Sequence, residues 1–317
     1  MKRLLITGVS GLLGINLALI SSDPGRAAGV YEVIGLVHSH PLNRTPFEVR
    51  RVDLNRIEAV TQVLDECQPE LLINCAAITD IDAIESKPGR EIGLNAELPG
   101  LLAKECVRRG IQFLHISTDA VFDGVKGWYT EEDVANPPNI YSQSKLAGEK
   151  AVMAVNPQAV IARVNFFGWS LTGKRSLAEW YLTNLTANQL VKGFTDIVFC
   201  PLLVTSLAEI LLQILEKHLV GLYHVVSRDW ISKYDFGIAL AHQFSLDDRL
   251  IQPVSYKEAG LLALRSPNLI LNTTKLTWDL GTPPPDIRSG VQQFYNLFQQ
   301  GYPLKLHSYM DAQGSMN

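Results

Sequence analysis

Short runs, most of them predominantly apolar, alternate with amphipathic stretches over the first half of the chain. Residues 4–6, 31–37, 48–52, 71–75, 111–117 and 159–164 read as strands. Between them, residues 12–20, 57–66, 96–109 and 141–152 carry helical periodicity, the third stretch stopping at Gly110. Strands without polar alternation are buried on both faces, so this β-α rhythm predicts a parallel sheet covered by helices. Past residue 165 the rhythm loosens. Helices are expected over 177–188, 206–217, 233–244 and 287–299, and short strands over 197–199 and 221–226, with proline breaks at 136–138 and 282–285. The predicted fold is α/β: a Rossmann-type, doubly wound parallel sheet over 1–165 and a smaller mixed α/β substrate lobe over 166–302. Some segments of the lobe are expected to return to the sheet, and residues 303–317, which lack periodicity, are expected to form a mobile tail.

The first strand runs into Thr7-Gly8-Val9-Ser10-Gly11-Leu12-Leu13-Gly14, which opens the first helix. Glycines at such a turn let backbone N–H groups approach a pyrophosphate, and the helix N-terminus faces the phosphate charge. The spacing is G-x-x-G-x-x-G rather than G-x-G-x-x-G, so position between strand and helix carries the reading. An acidic residue ending the second strand would bind the ribose 2′-hydroxyl of NAD, whereas basic groups accommodate a 2′-phosphate. Here the strand ends in His38-Ser39-His40, with Arg44 following and no carboxylate before Glu48, which favours NADP(H) and leaves NAD(H) as the other cofactor. Asp53-Leu54, after the third strand, either meets the adenine or caps a helix.

Tyr141 and Lys145 stand four residues apart on one helix face. A phenol has a pKa of about 10, and a neighbouring ammonium draws it toward neutrality, where it can exchange a proton with a substrate carbonyl. Thr118, at the end of the fifth strand, supplies a hydroxyl where open α/β sheets bind ligands. Loop, strand-end hydroxyl and Tyr-Lys pair together point to an enzyme that moves hydride and proton.

Charge and composition remove other classes. The net charge of -4, with both signs interspersed, is unlike a nucleic-acid binder. Cys67, Cys75, Cys106 and Cys200 show no metal spacing and read as reduced thiols; no metal site is expected. Lys2-Arg3 and the uncharged run behind them imitate a signal peptide, but Gly8, Gly11, Gly14 and Asn16 interrupt it. A cytoplasmic chain without membrane attachment is therefore expected.

The stretches TGVSGLLG, LLINCAAITDIDAIES, GLNAELPGLLAKEC, HISTDAVFDG, NPPNIYSQSKLAGEKAV and ARVNFFG resemble the extended short-chain dehydrogenase/reductase family, within it the dTDP-4-dehydrorhamnose reductase group. They cover roughly the first 170 residues. The resemblance implies a catalytic set of Thr118, Tyr141 and Lys145, with Lys145 also bonding the nicotinamide ribose. It implies that Cys75, Ala76, Ala77 and Asn95 border the cofactor, Asn95 more as a backbone brace. A nucleotide-sugar substrate, most simply a 4-keto-6-deoxy sugar, would be met by Thr79, Asp119, Val121, Asn165 and Phe166; Trp169 either stacks on it or is core, and Lys174 and Arg175 either reach its diphosphate or form a solvated helix start. A homodimer is the family expectation. Where the group usually carries R-T-S-W-V-Y-G, this chain has Arg163-Val164-Asn165-Phe166-Phe167-Gly168. Two alternatives stay open: an epimerase or dehydratase of the same family, or a non-catalytic nucleotide-binding subunit like the β subunit of methionine adenosyltransferase. Asp119-Ala120 supplies only one carboxylate, against the acidic pair usual in dehydratases.

Overall fold

A computed structural model describes residues 1–26, 30–258 and 263–310. The chain opens with β1 (Arg3–Thr7), α1 (Leu12–Ser21), β2 (Glu32–Val37), β3 (Glu48–Arg51), α2 (Ile57–Cys67), β4 (Leu71–Asn74) and α3 (Ile81–Ser86). A π-helical turn, Ile92–Glu97, leads into α4 (Leu98–Arg109), followed by β5 (Gln112–Thr118), α5 (Ile140–Val155) and β6 (Val160–Val164). The second half contributes β7 (Phe166–Phe167), α6 (Leu177–Thr186), β8 (Val191–Phe194), β9 (Val198–Phe199), β10 (Leu202–Leu203), α7 (Val204–Glu216) and β11 (Gly221–Val225). It closes with β12 (Ile231–Ser232), α8 (Lys233–Gln243), β13 (Ile251–Val254), β14 (Asn268–Leu269), α9 (Thr274–Leu280), α10 (Ile287–Gln299) and α11 (Tyr302–His307).

Seven strands form one parallel sheet in the order β11-β6-β5-β4-β1-β2-β3. The order reverses between β1 and β4, and at such a switch point the strand ends splay into a crevice that takes ligands. Alternation within β1 explains the two covered faces. Leu4 and Ile6 join one apolar layer with α1 and α7, while Leu5 joins the other with residues of α2, α4 and Val152 of α5. β11 and α7 come from beyond residue 165, yet β11 pairs with β6 as the outer strand of the sheet.

The small lobe is held by two- to four-residue strands: β12-β9-β14, β10-β7 and β13-β8. Most are too short to leave a period in the sequence, which is why only the neighbourhoods of β9 and β11 are read there. The expected mobile tail needs correction. Residues 302–307 are helix α11, with Leu306 and Tyr309 buried in the main core. Asn43 N–H bonds the Tyr309 carbonyl at 2.9 Å, so the segment after β2 is docked on the residues that follow α11. The rest of that tail, 311–317, lies outside the described residues.

Candidate active site

The glycine loop occupies the crevice at β1. Gly8 has φ +66°, and a Cβ there would come within 2.8 Å of the Ala76 backbone; a Cβ on Gly14 would overlap the Gly8 carbonyl. This is a cradle that side chains would fill, and it fits a dinucleotide pyrophosphate approaching the backbone at the start of α1, whose first turn has no side-chain cap. Ser10, Gly11 and Leu12 remain partly accessible, but Leu13 is buried in the core and can offer a ligand only its backbone. Beneath the loop, Thr7 Oγ1 donates to Asn74 Oδ1 at 2.6 Å, and both oxygens accept from the Ala76 N–H. This polar chain fixes Cys75-Ala76-Ala77 at the end of β4. Burial pushes the Cys75 thiol up to about 12, so it stays neutral.

At the end of β2, His38, Ser39 and His40 are exposed. His38 Nε2 lies 3.8 Å from Asp53, whose Oδ1 is bonded by both the backbone and side chain of Asn55; Leu54 is buried. Asn95 is a brace rather than a cofactor contact. Its side chain is bonded at both ends to the Ile78 backbone and also donates to Ser144 Oγ. The π-helical turn around it holds the β4 loop against α5.

Asn139 caps α5 by accepting from Ser142 N–H at 2.9 Å, which places Tyr141 in the first turn at the end of β5. Tyr141 and Lys145 are both buried, with Thr118 facing the phenol closely enough to favour its ionised form. Burial nevertheless dominates and pushes Tyr141 up to about 12, which corrects the expectation that Lys145 draws it toward neutrality. Lys145 Nζ instead donates to the Ile116 carbonyl at 2.7 Å. Its own pKa falls to about 8 through burial, opposed by the charge of Glu149. In this state the pair is therefore a neutral phenol beside an ammonium.

Glu149 lies one turn beyond Lys145. It takes three bonds from the Arg163 guanidinium, at 2.8–3.3 Å, and one from Ser117 Oγ at 2.5 Å. Ser117 and Arg163 are register partners on β5 and β6, so this buried cluster ties α5 to two strands.

On the substrate side, Asp119 accepts from Asn165 Nδ2 at 2.6 Å and from Thr118 Oγ1 at 3.2 Å. Burial pushes its carboxyl up to about 6. Lys233, at the start of α8, interacts electrostatically with both Asp119 and Arg265, and its Nζ lies 5.9 Å from the centre of the Phe194 ring. Sequence reading missed Lys233 and Arg265, single cations that no spacing marks. Phe166 is partly accessible and Thr79 exposed. Of four further candidate contacts, Val121 is corrected, and Trp169, Lys174 and Arg175 take the structural alternative left open for them. Val121 is fully buried in an apolar cluster with Phe122 and Tyr129. Trp169 is core, its ring stacked 4.1 Å from that of Phe294 and its Nε1 donating to the Phe294 carbonyl. Lys174 and Arg175 are exposed in the turn before α6, where neighbouring Gly173 faces His307; no described contact joins them to Asp119 or Tyr141.

Two grooves lie elsewhere. One of about 1000 Å³ opens at the N-terminal edge of the sheet, around Arg3, Arg109 and His218, and one of about 660 Å³ lies beside α7 and the proline run. Neither includes the glycine loop, Thr118 or Tyr141.

A family profile described as RmlD substrate binding domain matches residues 1–300. The chain belongs to this family. It is 34% identical over 292 residues to the probable low-salt glycan biosynthesis reductase Agl14 of Haloferax volcanii, covering 90% of this chain and 95% of the relative. It is 31% identical to the dTDP-4-dehydrorhamnose reductase of Aggregatibacter actinomycetemcomitans, over 90% and 96% of the two chains. It is also 30% identical to mouse methionine adenosyltransferase 2 subunit beta, over 92% and 86%. Among solved structures, the Bacillus anthracis dTDP-4-dehydrorhamnose reductase in complex with NADP aligns with a TM-score of 0.81 at 25% identity, over 93% and 99% of the two chains. The RmlD family member described here thus falls among NAD(P)-dependent oxidoreductases of the extended short-chain dehydrogenase/reductase type. Among the described residues no helix is long and apolar enough to cross a membrane, and no cluster of three or more His, Cys, Asp or Glu could hold a metal ion.

Proposed function

We propose that this protein is an NADP(H)-dependent reductase of a nucleotide-linked 4-keto-6-deoxy sugar, with Tyr141 as the proton donor. The observation that carries the reading is the neutral, buried Tyr141 phenol facing Thr118 at the end of β5, beside a glycine cradle at the switch point. When bound, the reduced nicotinamide supplies the hydride. The chain's own residues then have separable roles. Thr118 holds the keto oxygen by a hydrogen bond. Tyr141 gives that oxygen its proton as negative charge develops. Lys145, one helical turn away with its ammonium held on the Ile116 carbonyl, is left to bind the nicotinamide ribose. Asp119, Asn165, Phe166 and Lys233 form the facing wall, with Lys233 the cation placed to meet a substrate phosphate.

The test is oxidation of NADPH with a panel of nucleotide-linked 4-keto sugars. Tyr141→Phe is expected to lower kcat by roughly 100-fold or more, the range for a lost general acid, while leaving the NADPH Kd within about 3-fold, since the phenol's proton is not a binding contact. No turnover of any sugar by the wild type, together with tight NADPH binding and a co-purifying methionine adenosyltransferase, would instead favour a regulatory subunit. The likeness to the mouse β subunit is what keeps that second reading in view.

A further inference from the structure

The edge strand β3 presents a cation whose position the sequence leaves unmarked. β3 pairs in parallel with β2, and the register sets Arg51 opposite Val37, the last residue of β2. The Arg51 Nε donates to the His38 carbonyl at 3.0 Å, the first residue past the strand. Its other neighbours in β3 are differently engaged: Arg50 pairs with Glu48 and Glu66. Among the described residues no other hydrogen bond or ion pair engages Arg51, so both Nη groups are unused donors at the end of β2.

We propose that Arg51 is the residue that reads the 2′-phosphate of NADP(H), and hence the determinant of cofactor preference in this chain. This deepens the reductase reading by assigning its cofactor specificity to one side chain. Three observations converge. Where a carboxylate would hold the free ribose hydroxyls, β2 ends in exposed His38-Ser39-His40, which adds hydroxyl and imidazole donors but no negative charge. A guanidinium anchored at Nε keeps its two Nη groups in a fixed fork, the geometry that phosphate oxygens accept from in pairs. The anchor is a backbone carbonyl, so binding a phosphate breaks no ion pair. Asp53, two positions further along the chain, already has an oxygen committed to Asn55 and faces His38. Arg44, the cation that the sequence suggests, follows Asn43, whose N–H is bonded to the Tyr309 carbonyl, and no described contact joins Arg44 to the end of β2.

The test measures nucleotide binding and needs no sugar substrate. NADPH and NADH dissociation constants are determined by fluorescence titration for wild type, Arg51→Met and Arg51→Lys, with adenosine 2′-monophosphate and adenosine 5′-monophosphate as competing probes. Arg51→Met is expected to weaken NADPH by roughly 10- to 100-fold, the scale of a charge-assisted fork. NADH should change by less than about 2-fold, since it presents no 2′-phosphate. Arg51→Lys should lie between, and adenosine 2′-monophosphate should compete well only with the wild type. Equal weakening of both dinucleotides would overturn the proposal, because Arg51 would then merely hold the loop. So would an unchanged NADPH affinity, while leaving the reductase reading intact. A wild type that binds neither dinucleotide would overturn both.

Discussion

Asp119 lies buried beside Thr118, with Asn165 as its donor and Lys233 as a nearby cation, and burial raises its carboxyl to about 6. The folded pKa is thus above the unfolded one, so the native state holds a proton that the unfolded chain releases between about pH 4 and 6. Stability from this residue is complete below that window, falls as pH rises through it, and stays reduced above it. Asp119→Asn keeps an acceptor for Asn165 and cannot ionise. Urea unfolding should therefore find the variant more stable at pH 7, by an order of ~3 kcal/mol, with the gain shrinking to near zero at pH 4. A gain of equal size at both pH values would point to packing. A neutral Asp119 at low pH also brings no negative charge close to an incoming diphosphate, so substrate affinity should tighten as pH drops below 6, as read from KM between pH 5 and 8.

Helix α5 delivers Tyr141 and Lys145, and the Glu149–Arg163–Ser117 cluster fixes its angle against the sheet. Removing one partner of a buried ion pair leaves an uncompensated charge. Arg163→Met is expected to cost about 3–5 kcal/mol, and the double variant Glu149→Gln/Arg163→Met to recover much of it. A double variant as unstable as the single one would assign the loss to Arg163 packing on the Phe122 ring, 4.9 Å away. The sequence made α5 and its Tyr-Lys face legible because residues four apart share a side. It did not reveal Glu149, because a glutamate eight residues after Tyr141 reads as solvent-facing until Arg163 is known to sit opposite. Arg163 was itself a missed signal, the lone charge in the apolar run 159–164. The strands of the large sheet are long enough to show composition. Strands of two residues such as β7 and β10 are set by pairing across the fold, and nothing local announces them. Trp169 stays open between cleft and core in the sequence for the same reason: an aromatic near a cleft and one under it look alike until α10 is packed against it.

Among the described residues, the first and last helices meet. Tyr302 in α11 donates its hydroxyl hydrogen to Asn16 Oδ1 in α1 at 2.8 Å, and Leu306 and Tyr309 complete the apolar layer that covers one face of the sheet. Leu306→Ala should therefore cost about 2–5 kcal/mol, as for a core leucine, where a mobile tail would tolerate it. Ending the chain after Gly301 should go further. It removes the Tyr309 anchor of the loop behind β2, so NADPH affinity should fall along with the thermal midpoint, both measurable on the purified protein. Residues 16 and 302 are joined across 286 positions of sequence. During synthesis the nucleotide-binding half emerges first, at about 5–20 residues per second, yet the partner that closes its outer layer is made 286 positions after Asn16. For tens of seconds the nascent half must wait with an apolar flank open, and that interval, set by chain order alone, is when this protein has most need of a chaperone.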